Sequence, residues 1–196
     1  MIVLTTRKPE INSRIQTPGA YTTITLATFK QWLKWDEDDD SEDDVMQLCL
    51  TSAIKQAEAY TRRAIDRATW RSYLEGFYDV TFDVAPIVTA SGFSVKYFDV
   101  TNTEQTLATN KYTLIDKGAD SYAEIEFESD LPELYDRNEP VFIEYLAGYT
   151  DYPADLTTII LPQASDFFEN RTNDLAGSLN QVSFGFHQRL FPYKML

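Results

Sequence analysis

The sequence predicts an α+β protein: a small helical bundle core with an inserted antiparallel β region and extended N- and C-terminal arms. Two observations carry this expectation. Apolar residues recur at helical spacing toward both ends of the chain and change to alternation in between. The 196 residues are 43% hydrophobic and 14% aromatic, with 7 Gly and 8 Pro, which places the chain among folded proteins that can bury a core. The segments then divide as 1–24, an extended N-terminal arm; 25–68, the first part of the helical core; 69–148, the β insertion; 149–175, the second part of the core; and 176–196, a C-terminal docking tail.

In chain order, residues 1–24 mix single apolar residues with Pro9, Pro18 and Gly19 and show no periodic face. TLATFKQWLKW reads as a short helix capped by Thr25, with Leu26, Phe29 and Leu33 three and four residues apart. DDVMQLCLTSAIKQAEAYTRRAI is a longer helix whose stripe is Met46, Leu50, Ala53, Ala57, Tyr60 and Ala64. Asp43 and Asp44 at its start and Arg62 and Arg63 at its end follow the order that the helix dipole favours. Alternating segments TWRSYLEGF, DVTFDV, FSVKYFDV, KYTLID, AEIEFE and VFIEYLAG follow, separated by the turn-like stretches TASG, TNTEQ, DKGADS and LPELYDRNEP. After Pro153, helical spacing returns through Leu156, Ile159, Ile160, Ala164, Phe167 and Phe168. Pro162 interrupts it and predicts either a bend or a helix that begins near Leu161. The expected packing of the helical core rests on Phe29, Leu33, Met46, Leu50, Ile160 and Phe167. SFGFHQRLFPYKML ends the chain with Phe184, Phe186, Leu190, Phe191, Tyr193 and Leu196 and no long helical repeat.

The formal charge is −14, and eight carboxylates crowd the nine positions from Asp36 to Asp44. The remaining 23 acids face 17 bases, so the acidity is concentrated and the chain lacks the clustered cations that grip nucleic acid. Three readings of this run stand side by side: a metal loop, a solvated entry to the long helix, and a surface (Asp38, Asp39, Asp40, Glu42, Asp43 and Asp44) that repels DNA phosphates. Asp36, Asp38 and Asp40 match positions 1, 3 and 5 of a calcium loop, but Ser41 and Gln47 stand where the turn glycine and the bidentate glutamate belong. YTRRAIDRATWR holds the one dense basic cluster, Arg62, Arg63, Arg67 and Arg71, read either as a helix end with local ion pairs or as an interface for an acidic protein surface.

Chemistry is scarce. A histidine-dependent triad would have to use His187, expected at a surface or interface, and the sequence has no GxSxG and no glycine-rich phosphate loop. Cys49 sits among apolar helix positions and reads as a buried, inert thiol. A single cysteine makes no internal disulfide and no cysteine-built zinc site, which suits a reducing compartment. MIVLTTRKPEINSRI has no signal-peptide core, and no stretch reaches the roughly 18 apolar residues of a membrane helix. The expectation is a soluble, non-enzymatic protein with no cofactor and no metal.

The order TLATFKQWLKWDEDD, a helix ending AEAYTRRAI, TWR opening a β region, VFIEYLAGYTDYPADL, FFENRT and LFPYK resembles the head-tail connector (adaptor or head-completion) proteins of tailed bacteriophages and gene-transfer particles. The likeness runs from about Thr25 to Leu196. The N-terminal arm has no counterpart, Pro162 breaks a helix that is usually continuous, and the acidic run is longer than the family's few acids. The resemblance implies a structural virion protein: a ring, of about twelve copies, seated under the portal, joining capsid to tail and passing genomic DNA without gripping it. Its implied partners are other copies of itself, the portal protein and a downstream tail, stopper or terminator protein, with no membrane; it would reside in the virion neck, and in the host cytoplasm during assembly. The tail, Phe184 to Leu196, would enter the portal, with its aromatics as anchors. An acidic binding module, a DNA mimic or an inhibitor of a basic cleft, is the competing reading.

Overall fold

The computed structural model describes residues 11–17, 24–88, 92–116, 118, 122–149, 152–170 and 182–195. The chain forms two compact units, Met1–Pro18 with Arg67–Gly148, and Gly19–Asp66 with Tyr149–Leu196. Among the described residues the first carries two antiparallel sheets and the second four helices, so the α+β class holds.

The helical unit contains α1 (Leu26–Leu33), α2 (Asp43–Thr61), α3 (Ala154–Glu169) and α4 (Val182–Leu190), followed by a 3₁₀ turn at Phe191–Tyr193. Thr25 caps α1 as expected: its extended backbone turns Oγ1 to accept the Thr28 N–H at 3.2 Å. Met46, Leu50, Ala53, Ile54 and Ala57 of α2 form one apolar cluster with Leu156, Ile159, Ile160, Leu161 and Ala164 of α3, and Phe29 of α1 joins it. Leu33 and Phe167 are half-buried at its margin, and Phe168 meets Phe29 and Trp35 edge-on at 6.5 and 5.9 Å. Ala64, predicted as the last stripe residue of α2, lies past its end, because the chain leaves the helix at Arg62 with φ +57°.

Pro162 neither starts nor splits α3, which runs continuously from Ala154 to Glu169. The expected start near Leu161 is therefore corrected. A proline inside a helix costs about 3 kcal/mol. Leu156, Ile159, Ile160 and Leu161, just before it, are all buried. At about 1.5–3 kcal/mol for each large aliphatic side chain, their burial outweighs the lost hydrogen bond.

The β unit contains β1 (Asn12–Thr17), β2 (Ala68–Leu74), β3 (Val80–Thr81), β4 (Ser94–Phe98), β5 (Glu104–Thr106), β6 (Tyr112–Ile115), β7 (Glu124–Phe127) and β8 (Val141–Ala147). One sheet has the order β1-β2-β8-β4-β5 and the other β3-β7-β6. Two segments depart from the sequence reading. Asn12–Thr17, within the expected arm, is an edge strand antiparallel to β2. Its ladder and the Ser13–Ser72 hydroxyl contact at 2.6 Å hold it in place, while Arg14 to Thr17 stay exposed, so it carries no hydrophobic alternation to read. TNTEQ, expected as a turn, already contains the start of β5, whose three residues are all exposed.

Aromatic rings join the two sheets. Phe82, just past β3, packs against Tyr145 of β8 at 4.9 Å, and Phe77 lies between Tyr97 of β4 at 5.7 Å and Phe127 of β7 at 5.4 Å. Tyr145 is fully buried, with its hydroxyl beside Ser72 at 3.0 Å. Burial pushes its phenol up to about 12, against the serine hydrogen bonds that lower it. The native state thus keeps this proton while the unfolded chain releases it near pH 10. The stabilisation is complete below about pH 10 and is lost as pH rises through about 12. Tyr145→Phe should therefore make the alkaline fall in stability shallower, as read by urea denaturation from pH 9 to 12; an unchanged slope would contradict this assignment.

Candidate functional site

The acidic run is an ordered loop built around a buried cation. Lys30 of α1 is only 5% exposed. Its ammonium donates to the Asp39 carbonyl at 2.8 Å and the Glu37 carbonyl at 3.3 Å, and pairs with the Asp43 carboxylate at 2.6 Å. Two carboxylates fold the loop from within: Asp36 Oδ1 accepts the Asp38 N–H and Asp39 Oδ1 the Ser41 N–H. The hydrogen bonds from Ser41 hold the Asp39 carboxyl below its usual range. Asp38, Asp40 and Asp44 are left exposed, with Glu42 half-buried at the start of α2. Among the described residues, no three His, Cys, Asp or Glu side chains are placed to hold a metal ion.

The C-terminal segment is clasped by a second buried cation. Arg63, also 5% exposed, donates from Nε to the Tyr193 carbonyl at 2.5 Å and from Nη1 to the Tyr149 hydroxyl at 3.2 Å. The Met195 N–H donates to the Thr61 carbonyl at 2.9 Å, and the Tyr193 hydroxyl donates to Asp155. Burial first, and Asp155 second, push the Tyr193 phenol up to about 12. His187, expected at a surface or interface, is half-buried and stacks on Tyr60 at 4.6 Å.

These contacts redraw two groups of expected site residues. In the tail, Phe186 and Leu190 belong to the helical core, because SFGFHQRL forms α4 and turns them inward. They are not presented as anchors. Tyr193 is half-buried and committed to Asp155, whereas Phe191 is 63% exposed on the adjoining turn. The Phe184 side chain and Leu196 lie outside the described residues. In the basic cluster, Arg63 faces inward, while Arg62 and Arg67 are exposed.

Sequence reasoning missed one constellation on the β unit. Glu144 of β8 pairs with Arg71 of β2 and with Lys96 of β4 at 2.8 Å, and both cations lie over the Phe142 ring. Burial raises the Glu144 carboxyl, but hydrogen bonds from Lys96 and Arg71 overcome it and hold the group below its usual value. Arg14 lies over Tyr73 at 4.9 Å and Arg137 over Phe98 at 4.0 Å, which gives this sheet face alternating cations and rings. The alternation Arg71-Ser72-Tyr73 against Phe142-Ile143-Glu144 was the available signal, since residues at this spacing share a face.

No family model matches the sequence, and no curated protein matches it either. Solved structures do. Over 95% of this chain and 96% of the other, it superposes on a protein from the neck of an empty gene transfer agent particle computed with C6 symmetry, with TM-score 0.72 and 21% identity. The chain has the fold of a gene transfer agent neck protein. The neck of the native particle, computed with C12 symmetry, gives TM-score 0.68 at 20% identity, over 95% of this chain and 96% of that one. The virion of a native gene transfer agent gives 0.73 at 20%, over 94% and 95%. At such identity the likeness establishes the neck fold across both units, β insertion included.

Replacing Lys30 by Ala should cost about 2 kcal/mol, since it strands two carbonyls and a carboxylate, and should open the 36–44 loop to limited proteolysis. Leu190→Ala should cost about 2–5 kcal/mol in urea denaturation, whereas Phe191→Ala should change stability by less than about 0.5 kcal/mol. Equal costs at 190 and 191 would contradict the inward turn of α4.

Proposed function

We propose that this chain is a structural component of the neck of a phage-like particle, a connector that forms a ring between capsid and tail. The observation that carries the reading is the superposition over 94–95% of the chain on proteins of gene transfer agent particles, two of them described as neck. The assemblies with C6 and C12 symmetry support a ring, with twelve copies as the proposed number. Such a part does no covalent chemistry; it holds a shape, associates with copies of itself and passes DNA through its centre. Outside residues 36–44 the chain still sets 23 acids against 17 bases, a net negative charge that suits a conduit to which phosphates do not adhere. Among the described residues no helix is long and apolar enough to cross a membrane.

Docking on the portal falls to Phe191. The turn that carries it is fixed on one side by Arg63 and on another by Asp155, so the ring is presented without a large ordering cost. Removing the whole segment 184–196 would take Phe186, Leu190 and Met195 out of the core and does not test docking.

The experiment mixes the purified chain with purified portal rings and weighs the complex by native mass spectrometry. The expected result is a complex carrying a fixed ring-sized number of copies, and a loss of affinity of roughly 30-fold for Phe191→Ala, the scale of an interface hot spot. Unchanged binding of that variant would move docking to another surface. A wild-type chain that never binds portal would contradict the connector reading.

A further inference from the structure

Copies of a chain with formal charge −14 repel one another unless their contact surfaces match acid with base. Helix α2 has the two signs at opposite ends. Its N-terminal end carries the loop with exposed Asp36, Glu37, Asp38, Asp40 and Asp44, on a backbone fixed by Lys30. Exposed Lys55 lies about 17 Å along the helix from Asp44, and exposed Arg62 caps the far end, about 27 Å away. Between them runs an outer stripe at helical spacing, Leu48, Ser52, Lys55, Ala59 and Arg62, every member exposed and none acidic. Glu58 flanks the stripe: one oxygen accepts the Ile65 N–H and the other pairs with Lys55 at 2.7 Å. Leu48 is 66% exposed, the largest exposure of any large apolar side chain among the described residues.

We propose that this outer stripe of α2 is the seat of a second copy of the chain, whose Asp36–Asp44 loop lies against Lys55 and Arg62. The inference rests on the ring reading and names the surface by which one subunit meets the next. Charge complementarity selects the occupant: the chain's densest acidic segment lies in the loop that leads into α2, and exposed Lys55 and Arg62 lie farther along the same helix, so every copy offers both halves. A contact of one patch with a different patch is heterologous, and it closes into a ring when its rotation divides the circle. Ser52 and Ala59 present little side-chain bulk, which lets a neighbouring backbone approach, and the approach covers Leu48. The acidic loop is thereby assigned to subunit contact, and its charges are neutralised by the neighbour.

Charge exchange tests this. One variant carries Lys55→Glu and Arg62→Glu, the other Asp38→Lys and Asp40→Lys; none of these four side chains holds the loop. Assembly of the full chain is followed by sedimentation and native mass spectrometry at about 0.1 M salt, where charges more than roughly 10 Å apart are screened. Each variant alone should need at least about tenfold more protein to assemble, while an equimolar mixture, which brings the unaltered loop of the first to the unaltered stripe of the second, should form one-to-one pairs that neither variant forms at the same concentration. Arg62→Glu alone leaves the Lys55–Glu58 bridge in place and should show the same defect in smaller measure if the double variant fails to fold. Variants that assemble as the wild type does, a defect confined to one of the two, or a mixture no better than its parts would overturn the inference and leave the ring reading standing. A wild-type chain that stays monomeric alone and on portal rings would overturn the ring reading itself.

Discussion

The seam between α2 and α3 is the constraint on which the helical body depends. It joins two stretches separated in sequence by the whole β insertion, and it does so with side chains that are almost entirely buried: Met46, Leu50, Ala53 and Ala57 against Ile159, Ile160 and Ala164. The chain leaves this body after Asp66 and returns at Tyr149, whose N–H reaches the Ile65 carbonyl at 3.4 Å. An insertion closed at its base in this way can be long without loosening the core, since loop-closure entropy grows only slowly with length. The same seam explains why α3 tolerates Pro162, because packing along the helix supplies more than the missing hydrogen bond removes.

Two buried cations organise the parts that the seam does not. Lys30 gathers the acidic loop at the start of α2, and Arg63 gathers the C-terminal turn at its end. Each places a charge in poor solvent and satisfies it with several oxygens, the condition under which such burial is tolerated. A loop of eight acids and a turn bearing an exposed Phe191 are thereby held in place by buried charge.

Much of the fold was legible in the residues, and the failures have physical causes. Helical stripes and the Thr25 cap were readable because burial enforces their spacing. The strands of β2, β4, β6, β7 and β8 were readable because one face of each is apolar. Edge strands β1 and β5 escaped because backbone pairing alone positions them, and exposed side chains leave no alternation. Phe186 and Leu190 were misread as docking residues because α4 is short, so four residues of spacing between them carry little periodic signal. Lys30 and Arg63 were missed as structural centres because a cation on an amphipathic helix reads as solvated; the adjacent Phe29, and the apolar Ala64 and Ile65, were the hints that each side chain lay on an inner face.

At 20–21% identity the neck fold is shared although most of the residues differ. The most direct measurement is cryo-electron microscopy of purified particles that contain this chain. The account predicts density for both of its units, repeated about the axis between capsid and tail in a closed ring. Particles whose neck lacks the chain, or holds it as a single copy off the axis, would contradict it.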